Sequence, residues 1–186
     1  MKEKCIEVDC CRSIKLSLQY LLIAPFEDGT DETKRLFSYF LHSVPDVESI
    51  HSKRIPKVKH STIFNMMMET SHFKYQEFCC AQAHIEKELS KGYLNGEIIC
   101  LKCKRFVCKK KQMVKGMPIE TDLDCFLRHI RNSIAHGRVY YRHAGNRVHI
   151  VFEDENSTGN LSARIVCVKA DLEHWKQILS NPENYH

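Results

Sequence analysis

The segment from Leu127 to Val139 combines an arginine, an asparagine and a histidine within one amphipathic pattern. Arg131 and His136 are separated by four residues, and Asn132 directly follows the arginine. Histidine can exchange a proton near neutral pH, and the arginine fork of donors suits phosphate oxygens. Such a pair can promote attack of a ribose 2′-hydroxyl on the adjacent phosphate without a metal ion. The spacing therefore indicates a metal-independent RNA-cleaving site.

The motif fits the end of a helix that Thr121-Asp122 caps and Gly137 terminates. At about 100° per residue, five apolar residues share one face: Leu123, Phe126, Leu127, Ile130 and Ile134. The remaining arc holds the polar residues: Arg128, His129, Arg131, Asn132 and His136. The spacing alone also permits another interpretation, in which Arg131 and His136 are ordinary surface or core-edge residues and the histidine caps the helix.

Three other arginine–histidine pairs have comparable spacing: Arg35/His42, Arg54/His60 and Arg138/His143. The first encloses almost only apolar residues and offers no polar neighbour for a phosphate. The second contains Pro56, which argues against a regular helix across the pair. The third falls in a predicted strand. Context therefore favours Arg131/His136.

The stretch from Phe126 to Arg138 resembles the signature of the HEPN superfamily, in which an arginine, a polar residue and a later histidine lie on the last helix of a bundle. The resemblance implies a dimeric, metal-independent endoribonuclease of a toxin, anti-phage or other defence system, with two motifs facing a shared cleft. It assigns catalysis to Arg131, Asn132 and His136. Some members bind RNA or a partner without cutting, so a non-catalytic binding module is the alternative.

The resemblance also implies roles for the three residues. Arg131 would bind the scissile phosphate and stabilise its transition state, His136 would be the general acid or base, and Asn132 would orient the phosphate or the imidazole. The product would be a 2′,3′-cyclic phosphate, and no cofactor is expected. HEPN toxins silenced by a nucleotidyltransferase antitoxin carry tyrosine where this chain has Arg138, which argues against that partner.

The predicted fold is mainly α: a HEPN-like up-and-down helical bundle with a small C-terminal antiparallel β element and a closing helix. We expect one domain over residues 1–186, with N-terminal helices in 1–95, a basic cysteine-containing loop in 96–118, the motif helix in 119–137 and the β element and final helix in 138–186. The individual elements predicted are helices over Ser13–Ala24, Asp31–His42, Val47–Ser52, Ser61–Lys91 (with a break near Ser71) and Asp171–Ser180, and strands over Arg138–His143, Arg147–Glu153 and Ala163–Val168.

Composition and the N-terminus favour a cytoplasmic protein. The chain has 186 residues, 43% of them hydrophobic, and a formal net charge of +5, which is compatible with a nucleic-acid partner without requiring one. Glu3, Glu7 and Asp9 make residues 1–12 a poor signal peptide, and the apolar run Ile14–Ala24 is too short to span a membrane. The ten cysteines are therefore expected to be reduced and mostly buried.

Two further groups of residues carry hypotheses. Positive charge is densest in 102–115, so RNA-backbone contacts are predicted, together with Arg128, for Lys102, Lys104, Arg105, Lys109, Lys110 and Lys111, with Phe106 free to stack on a base. A solvated loop is the alternative.

Cys100, Cys103 and Cys108 have half the spacing of a zinc site, which Cys79, Cys80 or His84 would have to complete. Reduced thiols are the alternative, and no catalytic metal is predicted.

Overall fold

The computed structural model describes residues 13–15, 21–45, 55–89, 98–100, 104–111, 120–144 and 146–184. The strands are β1 (Ser13–Lys15), β2 (Leu21–Ile23), β3 (Tyr75–Cys79), β4 (Ile98–Cys100), β5 (Arg105–Lys109), β6 (Val139–Ala144), β7 (Arg147–Glu155) and β8 (Leu161–Val168). The helices are α1 (Asp31–His42), α2 (Lys57–Ser71), α3 (Gln82–Leu89), α4 (Asp122–Ala135) and α5 (Lys169–Ser180), followed by a 3₁₀ turn over Pro182–Asn184.

A six-stranded mixed sheet forms the centre of the fold. Its strand order is β2-β6-β7-β8-β5-β3, and every neighbouring pair is antiparallel except β3 and β5. β1 and β4 form a separate antiparallel pair. The prediction of a mainly α bundle with a small β element is therefore wrong, because strands from both halves of the chain join one large sheet.

The errors arose at short segments whose local sequence pattern does not distinguish a strand from a helix or a loop. The predicted helix Ser13–Ala24 is replaced at its described ends by β1 and β2, and β2 pairs with β6. The predicted helix Ser61–Lys91 is interrupted by β3. In the predicted loop 96–118, β5 is buried on both faces within the sheet, so its apolar residues form a continuous run. The predicted helix Val47–Ser52 lies outside the described residues.

Local signals identified the other elements well. The helix predicted over Asp31–His42 is confirmed, and the Thr30 hydroxyl accepts the Thr33 N–H at its start. The hairpin and the third strand of the C-terminal half are also confirmed, although each strand differs by a few residues at its ends. The final helix begins two residues earlier than predicted, at Lys169.

Helices cover both faces of the sheet. α1, α2, α4 and α5 bury their apolar sides against one face, where Phe106, Ile150 and Ile165 point into the same core. α3 packs on the opposite face, with Ile85 against Val107. Within the described ranges, no helix combines the length and the apolar character that a membrane crossing requires.

Phe126 of α4 lies at the centre of an aromatic cluster that joins three helices to the sheet. Its ring centroid is 5.0 Å from that of Phe106 on β5, 5.2 Å from Trp175 on α5 and 5.9 Å from Phe64 on α2. The Trp175 indole N–H donates to the Ser71 hydroxyl at 2.6 Å, so its one polar atom is satisfied in the core. The cluster thus fixes α4, and with it the motif, against the sheet.

We therefore expect Phe126→Ala to lower the free energy of unfolding by about 3–5 kcal/mol, because it leaves a cavity between these rings. Val58→Ala is the matched truncation: Val58 is 86% exposed on α2, and its loss should change stability by less than about 0.5 kcal/mol. Urea denaturation measures both. Similar losses of unfolding free energy in the two variants would contradict this account of the core.

Candidate active site

The N-terminus of α4 is fixed by a capping box. The Thr121 hydroxyl accepts the backbone N–H of Asp124 at 3.2 Å, and the Asp124 carboxylate accepts the N–H of Thr121 at 3.2 Å. All five apolar residues predicted to face the core are buried. The rotation of α4 about its own axis is therefore set by the core, which leaves the polar residues of the motif at its edge.

The C-terminus of α4 ends in a Schellman motif that places His136 just beyond the last turn. Gly137 has φ of +66°, its N–H donates to the Ile134 carbonyl at 3.2 Å, and the Arg138 N–H donates to the Ser133 carbonyl at 2.8 Å. Glycine adopts this left-handed conformation without the steric cost that a Cβ brings. The chain therefore turns sharply into β6 directly after His136.

Arg131 and His136 are both accessible to solvent at this end of α4. Arg131 is partly exposed and His136 is exposed, and neither side chain forms a hydrogen bond or ion pair with a residue that the structure describes. Asn132 lies one turn before His136 on the same side of the helix. An arginine and a histidine are thus presented without competing partners among the described residues.

Asn132 is anchored to the sheet rather than to its own helix. Its side-chain N–H donates to Oδ2 of Asp154 on β7 at 3.1 Å. Because a carboxylate can only accept, this contact identifies which end of the amide faces β7. The amide carbonyl of Asn132 is consequently directed away from Asp154 and remains available to a ligand or a neighbouring side chain.

The same Asp154 carboxylate holds a buried histidine that the sequence analysis placed on the polar face. His129 Nδ1 lies 2.6 Å from Asp154 Oδ2, and both side chains are almost fully buried. His129 Nε2 lies 2.8 Å from the Lys109 carbonyl of β5 and 3.2 Å from an Arg128 nitrogen. Because the Asp154 carboxylate and the Lys109 carbonyl are both acceptors, this arrangement favours the doubly protonated ring of His129 over the neutral one.

The pKa values of the pair shift in the directions that an ion pair requires. Burial alone would lower the pKa of His129, but its hydrogen bond to Asp154 raises it above the usual 6.5. Burial alone would raise the pKa of Asp154, yet the contacts with His129 and Asn132 hold it below 3.8. Asp154 Oδ1 has no hydrogen-bond partner among the described residues, so the carboxylate depends on the partners of Oδ2.

Arg128 was predicted to contact RNA, and in the structure it forms hydrogen bonds within the protein. Its Nε and Nη2 donate to the two carboxylate oxygens of Glu120 at 2.9 and 2.5 Å, and Nη2 also donates to the Lys109 carbonyl at 2.8 Å. Burial would lower the pKa of Arg128, but Glu120 raises it. Arg128 thereby connects α4 to the end of β5.

The basic residues predicted to contact RNA do not form one exposed surface. Three are paired with other side chains of the chain: Lys104 with Asp171 at 2.9 Å, Lys109 with Gln82 at 2.8 Å, and Lys110 with Asp122. Arg105 is fully buried, as is Phe106, which packs in the aromatic cluster rather than being free to stack on a base. Lys111 is exposed, and Lys102 lies outside the described residues.

Sequence analysis missed Asp154, which joins the motif helix to the sheet. A signal was present: Ile150, Phe152 and Asp154 alternate along β7, so the carboxylate takes the place of a core residue. A charge at such a position requires a buried partner. The partner, His129, could not be identified because the contact spans 25 residues of sequence.

The predicted zinc ligands are only partly described. Cys108 is buried in the core, Cys103 lies outside the described residues, and the side chain of Cys100 is not described. The described residues contain one group with metal-binding chemistry: ligand atoms of Glu77, Cys79 and His84 lie within 4.8 Å of one another. Free thiols are found at Cys79, Cys80, Cys108, Cys125 and Cys167.

Comparison with known proteins identifies one family. A family model described as HEPN pEK499 p136 matches residues 14–179, which is most of the chain and includes the motif and every strand of the six-stranded sheet. No curated protein matches the chain. No solved structure matches it either.

Replacing the buried imidazolium should destabilise the protein in a pH-dependent way. His129→Gln leaves Asp154 buried without its cationic partner, which typically costs about 3–5 kcal/mol. The raised pKa of His129 means that its stabilisation is complete below pH 6.5 and is lost as pH rises through the folded value. The lowered pKa of Asp154 means that the stabilisation contributed by its carboxylate is lost only as pH falls below 3.8.

The stability difference between wild type and His129→Gln should therefore be largest between pH 3.8 and 6.5 and should shrink in alkaline buffer. Urea denaturation at several pH values measures it. His174→Gln, at an exposed position on α5, is the matched control and should show little difference at any pH. A penalty for His129→Gln that is the same at acidic and alkaline pH would show that His129 is not charged in the folded state.

Proposed function

The chain belongs to the HEPN pEK499 p136 family, and from that premise we propose that it is a metal-independent endoribonuclease. HEPN domains are associated with nuclease or RNA-related activity in general, so the family supplies the class. The residues at the end of α4 supply the more specific proposal. The observation that carries it is that Arg131 and His136 are solvent-accessible on one helix end and free of partners among the described side chains.

The proposed reaction is an internal transesterification of RNA. The ribose 2′-oxygen forms a bond to the adjacent phosphorus, the bond from phosphorus to the 5′-oxygen of the next nucleotide breaks, and the products are a 2′,3′-cyclic phosphate and a 5′-hydroxyl. One proton leaves the 2′-hydroxyl and one joins the departing 5′-oxygen. His136 performs one of these transfers as general acid or base.

Arg131 has the role of an electrostatic stabiliser in this reaction. Negative charge accumulates on the non-bridging oxygens in the transition state, and a guanidinium can donate two hydrogen bonds to them. Because Arg131 has no carboxylate partner among the described residues, its donors are available to the phosphate. An arginine already paired within the fold, such as Arg128 with Glu120, would have to break its ion pair first.

Asn132 acts as a positioning residue in the proposal. Asp154 holds its amide N–H, so the amide carbonyl keeps one orientation one turn before His136. In that position it can accept a hydrogen bond from the imidazole or from the ribose hydroxyl. Asp154 is thus coupled to the reaction through Asn132, although it is buried and does not reach substrate itself.

The cellular setting and the assembly are proposed from the resemblance of the motif to other HEPN nucleases. We expect a cytoplasmic homodimer in which two motifs face one cleft, in a toxin or phage-defence context. Light scattering of the purified protein would measure the oligomeric state. The exposed Lys111 precedes the motif helix and is the candidate for an RNA-backbone contact among the described basic residues of 104–111.

Removing either motif residue should abolish RNA cleavage. Wild type, Arg131→Ala and His136→Ala are incubated with RNA in excess EDTA, and fragments are resolved on a gel. We expect the wild type to cut and each variant to lose at least about a hundredfold in rate, in line with the loss of a general acid–base group or of a transition-state donor. Arg35→Ala and His42→Ala are the matched controls, since this pair has similar spacing and is also exposed on a helix.

Cleavage that needs a divalent ion would contradict the proposal, as would equal rates in the motif variants and the wild type. An intact wild-type protein that binds RNA or a partner without cutting it would support the alternative, a non-catalytic HEPN-type binding module.

The turn after His136 should matter for activity beyond its effect on stability. Gly137→Ala and Gly159→Ala both place a Cβ at positive φ in open space, so each should cost about 1–2 kcal/mol from backbone strain. Only the first shifts the chain beside His136. We expect Gly137→Ala to cut RNA more slowly than Gly159→Ala at a temperature where both are fully folded. Equal rates would show that the position of His136 is not held by this turn.

A further inference from the structure

Three side chains with metal-binding chemistry converge between β3 and α3, on the face of the sheet opposite the motif helix. One ligand atom each of Glu77, Cys79 and His84 lies within 4.8 Å of the other two. Glu77 and Cys79 are two residues apart on β3, so both side chains point to the same face. That face carries α3, because Cys79 packs in one cluster with Ile85. The strand and the helix therefore present ligands to one point.

Glu88 provides a fourth candidate ligand from the next turn of α3. It follows His84 by four residues, so both side chains lie on one side of the helix. Its Oε1 is 3.5 Å from Nε2 of His84, and Oε1 of Glu77 is 3.8 Å from the same nitrogen. The Tyr75 hydroxyl donates to Oε2 of Glu88, which orients the carboxylate with Oε1 toward the histidine. We call the four side chains the β3–α3 cluster: Glu77, Cys79, His84 and Glu88.

The spacing of these atoms fits a shared cation better than hydrogen bonds. Both distances from Nε2 of His84 exceed the range of about 2.7–3.2 Å that is usual for an N–H···O bond. One ring nitrogen also carries at most one proton, which cannot serve two carboxylates well. Ligand atoms on a tetrahedral zinc ion, with bonds of about 2.0–2.3 Å, are about 3.3–3.6 Å apart. Small side-chain rotations therefore bring the cluster to the spacing that one ion requires.

The donor set indicates which cation the cluster can hold. Thiolate and imidazole are poor ligands for calcium and magnesium but suit zinc, which also accepts carboxylate oxygens. Cys79 is fully buried and the side chain of Glu88 is 6% exposed, whereas that of His84 is 43% exposed. The cluster is thus closed on the side of the sheet, and an ion can reach it from solvent past His84.

We propose that the β3–α3 cluster binds one zinc ion, which joins β3 to α3. On binding, the Cys79 thiol releases its proton to solvent and coordinates as the thiolate, and His84 coordinates as the neutral ring. β3 is the last strand of the sheet, and the cluster of buried hydrophobic side chains between it and α3 has four members among the described residues. The ion adds a cross-link at this edge, so its role is structural.

The zinc ion has no part in the proposed RNA cleavage. α3 and α4 cover opposite faces of the sheet, so the ion lies away from Arg131 and His136. Chelation should lower the stability of the protein, but cleavage should continue in EDTA at any temperature where the metal-free protein is folded. Failure of either proposal therefore leaves the other standing.

The first test titrates Zn²⁺ into the metal-free, reduced full-length protein in competition with a chromogenic chelator. We expect tight binding, and a rise of about 5–10 °C in the unfolding midpoint at a zinc concentration a hundredfold above Kd. His84→Gln should weaken binding at least about tenfold, since loss of even an outer partner of a metal ligand typically costs that much. His174→Gln, exposed on α5, is the matched control and should bind as the wild type does.

The second test replaces zinc with Co²⁺, which gives a near-ultraviolet charge-transfer band when a thiolate is among its ligands. Cys79→Ser should remove that band, and Cys80→Ser, at the neighbouring half-buried cysteine, should keep it. Glu77→Gln, at a partly exposed position, should weaken Zn²⁺ binding and keeps the proposal testable even if Cys79→Ser does not fold. The proposal is overturned if the wild type does not bind Zn²⁺, if His84→Gln and Glu77→Gln bind it as the wild type does, or if the band persists in Cys79→Ser.

Discussion

A buried ion pair between α4 and the sheet determines where the candidate catalytic residues lie. His129 of α4 and Asp154 of β7 are 2.6 Å apart in the interior, and the second nitrogen of His129 faces the Lys109 carbonyl of β5. A charge buried in this way is tolerated only with close partners, so α4, β7 and β5 cannot shift independently. The contact fixes the last two turns of the helix that carries Arg131 and His136.

The ion pair also shows how the sheet holds the motif helix in position. The Asp154 carboxylate accepts hydrogen bonds from both His129 and Asn132, so one strand residue holds the buried and the exposed side of α4 at the same time. Arg128 connects α4 to β5 in a second place, because it donates both to Glu120, just before the helix, and to the Lys109 carbonyl of β5. Arg131 and His136, which we propose to contact phosphate, are thereby left unpaired among the described residues beside a rigid support, which is the condition for a preorganised site.

Sequence reasoning succeeded where the signal was local. The cap at Thr121, the apolar face of α4, the turn at Gly137 and the hairpin that follows can each be identified from neighbouring residues. It failed where partners are distant in sequence. β2, β3 and β5 are short strands whose partners, in β6 and β8 or in each other, are not adjacent in the chain, so no local pattern showed that they join one sheet. His129 was misplaced for the same reason, since a helical wheel does not show a carboxylate on a strand.

The arginines of the described residues differ in whether they are paired within the fold. Arg128, Arg138 and Arg164 are each paired with a glutamate, whereas Arg131 at the motif is not paired with a described residue. Guanidinium groups without internal partners are the ones whose charge is available to a phosphate. Local density of positive charge in the sequence is a weaker guide to a phosphate-binding site, because all four basic residues at 104–110 are paired or buried.

The most direct measurement of the central claim is the chemical nature of the RNA ends that the wild-type protein produces, determined by mass spectrometry of a defined oligonucleotide. The account predicts a 2′,3′-cyclic phosphate on one fragment and a 5′-hydroxyl on the other, and no cut at a site whose nucleotide lacks the 2′-hydroxyl. Fragments ending in 3′-hydroxyl and 5′-phosphate, or cleavage of the 2′-deoxy substrate at that site, would contradict it, because the attacking group would then not be the ribose hydroxyl.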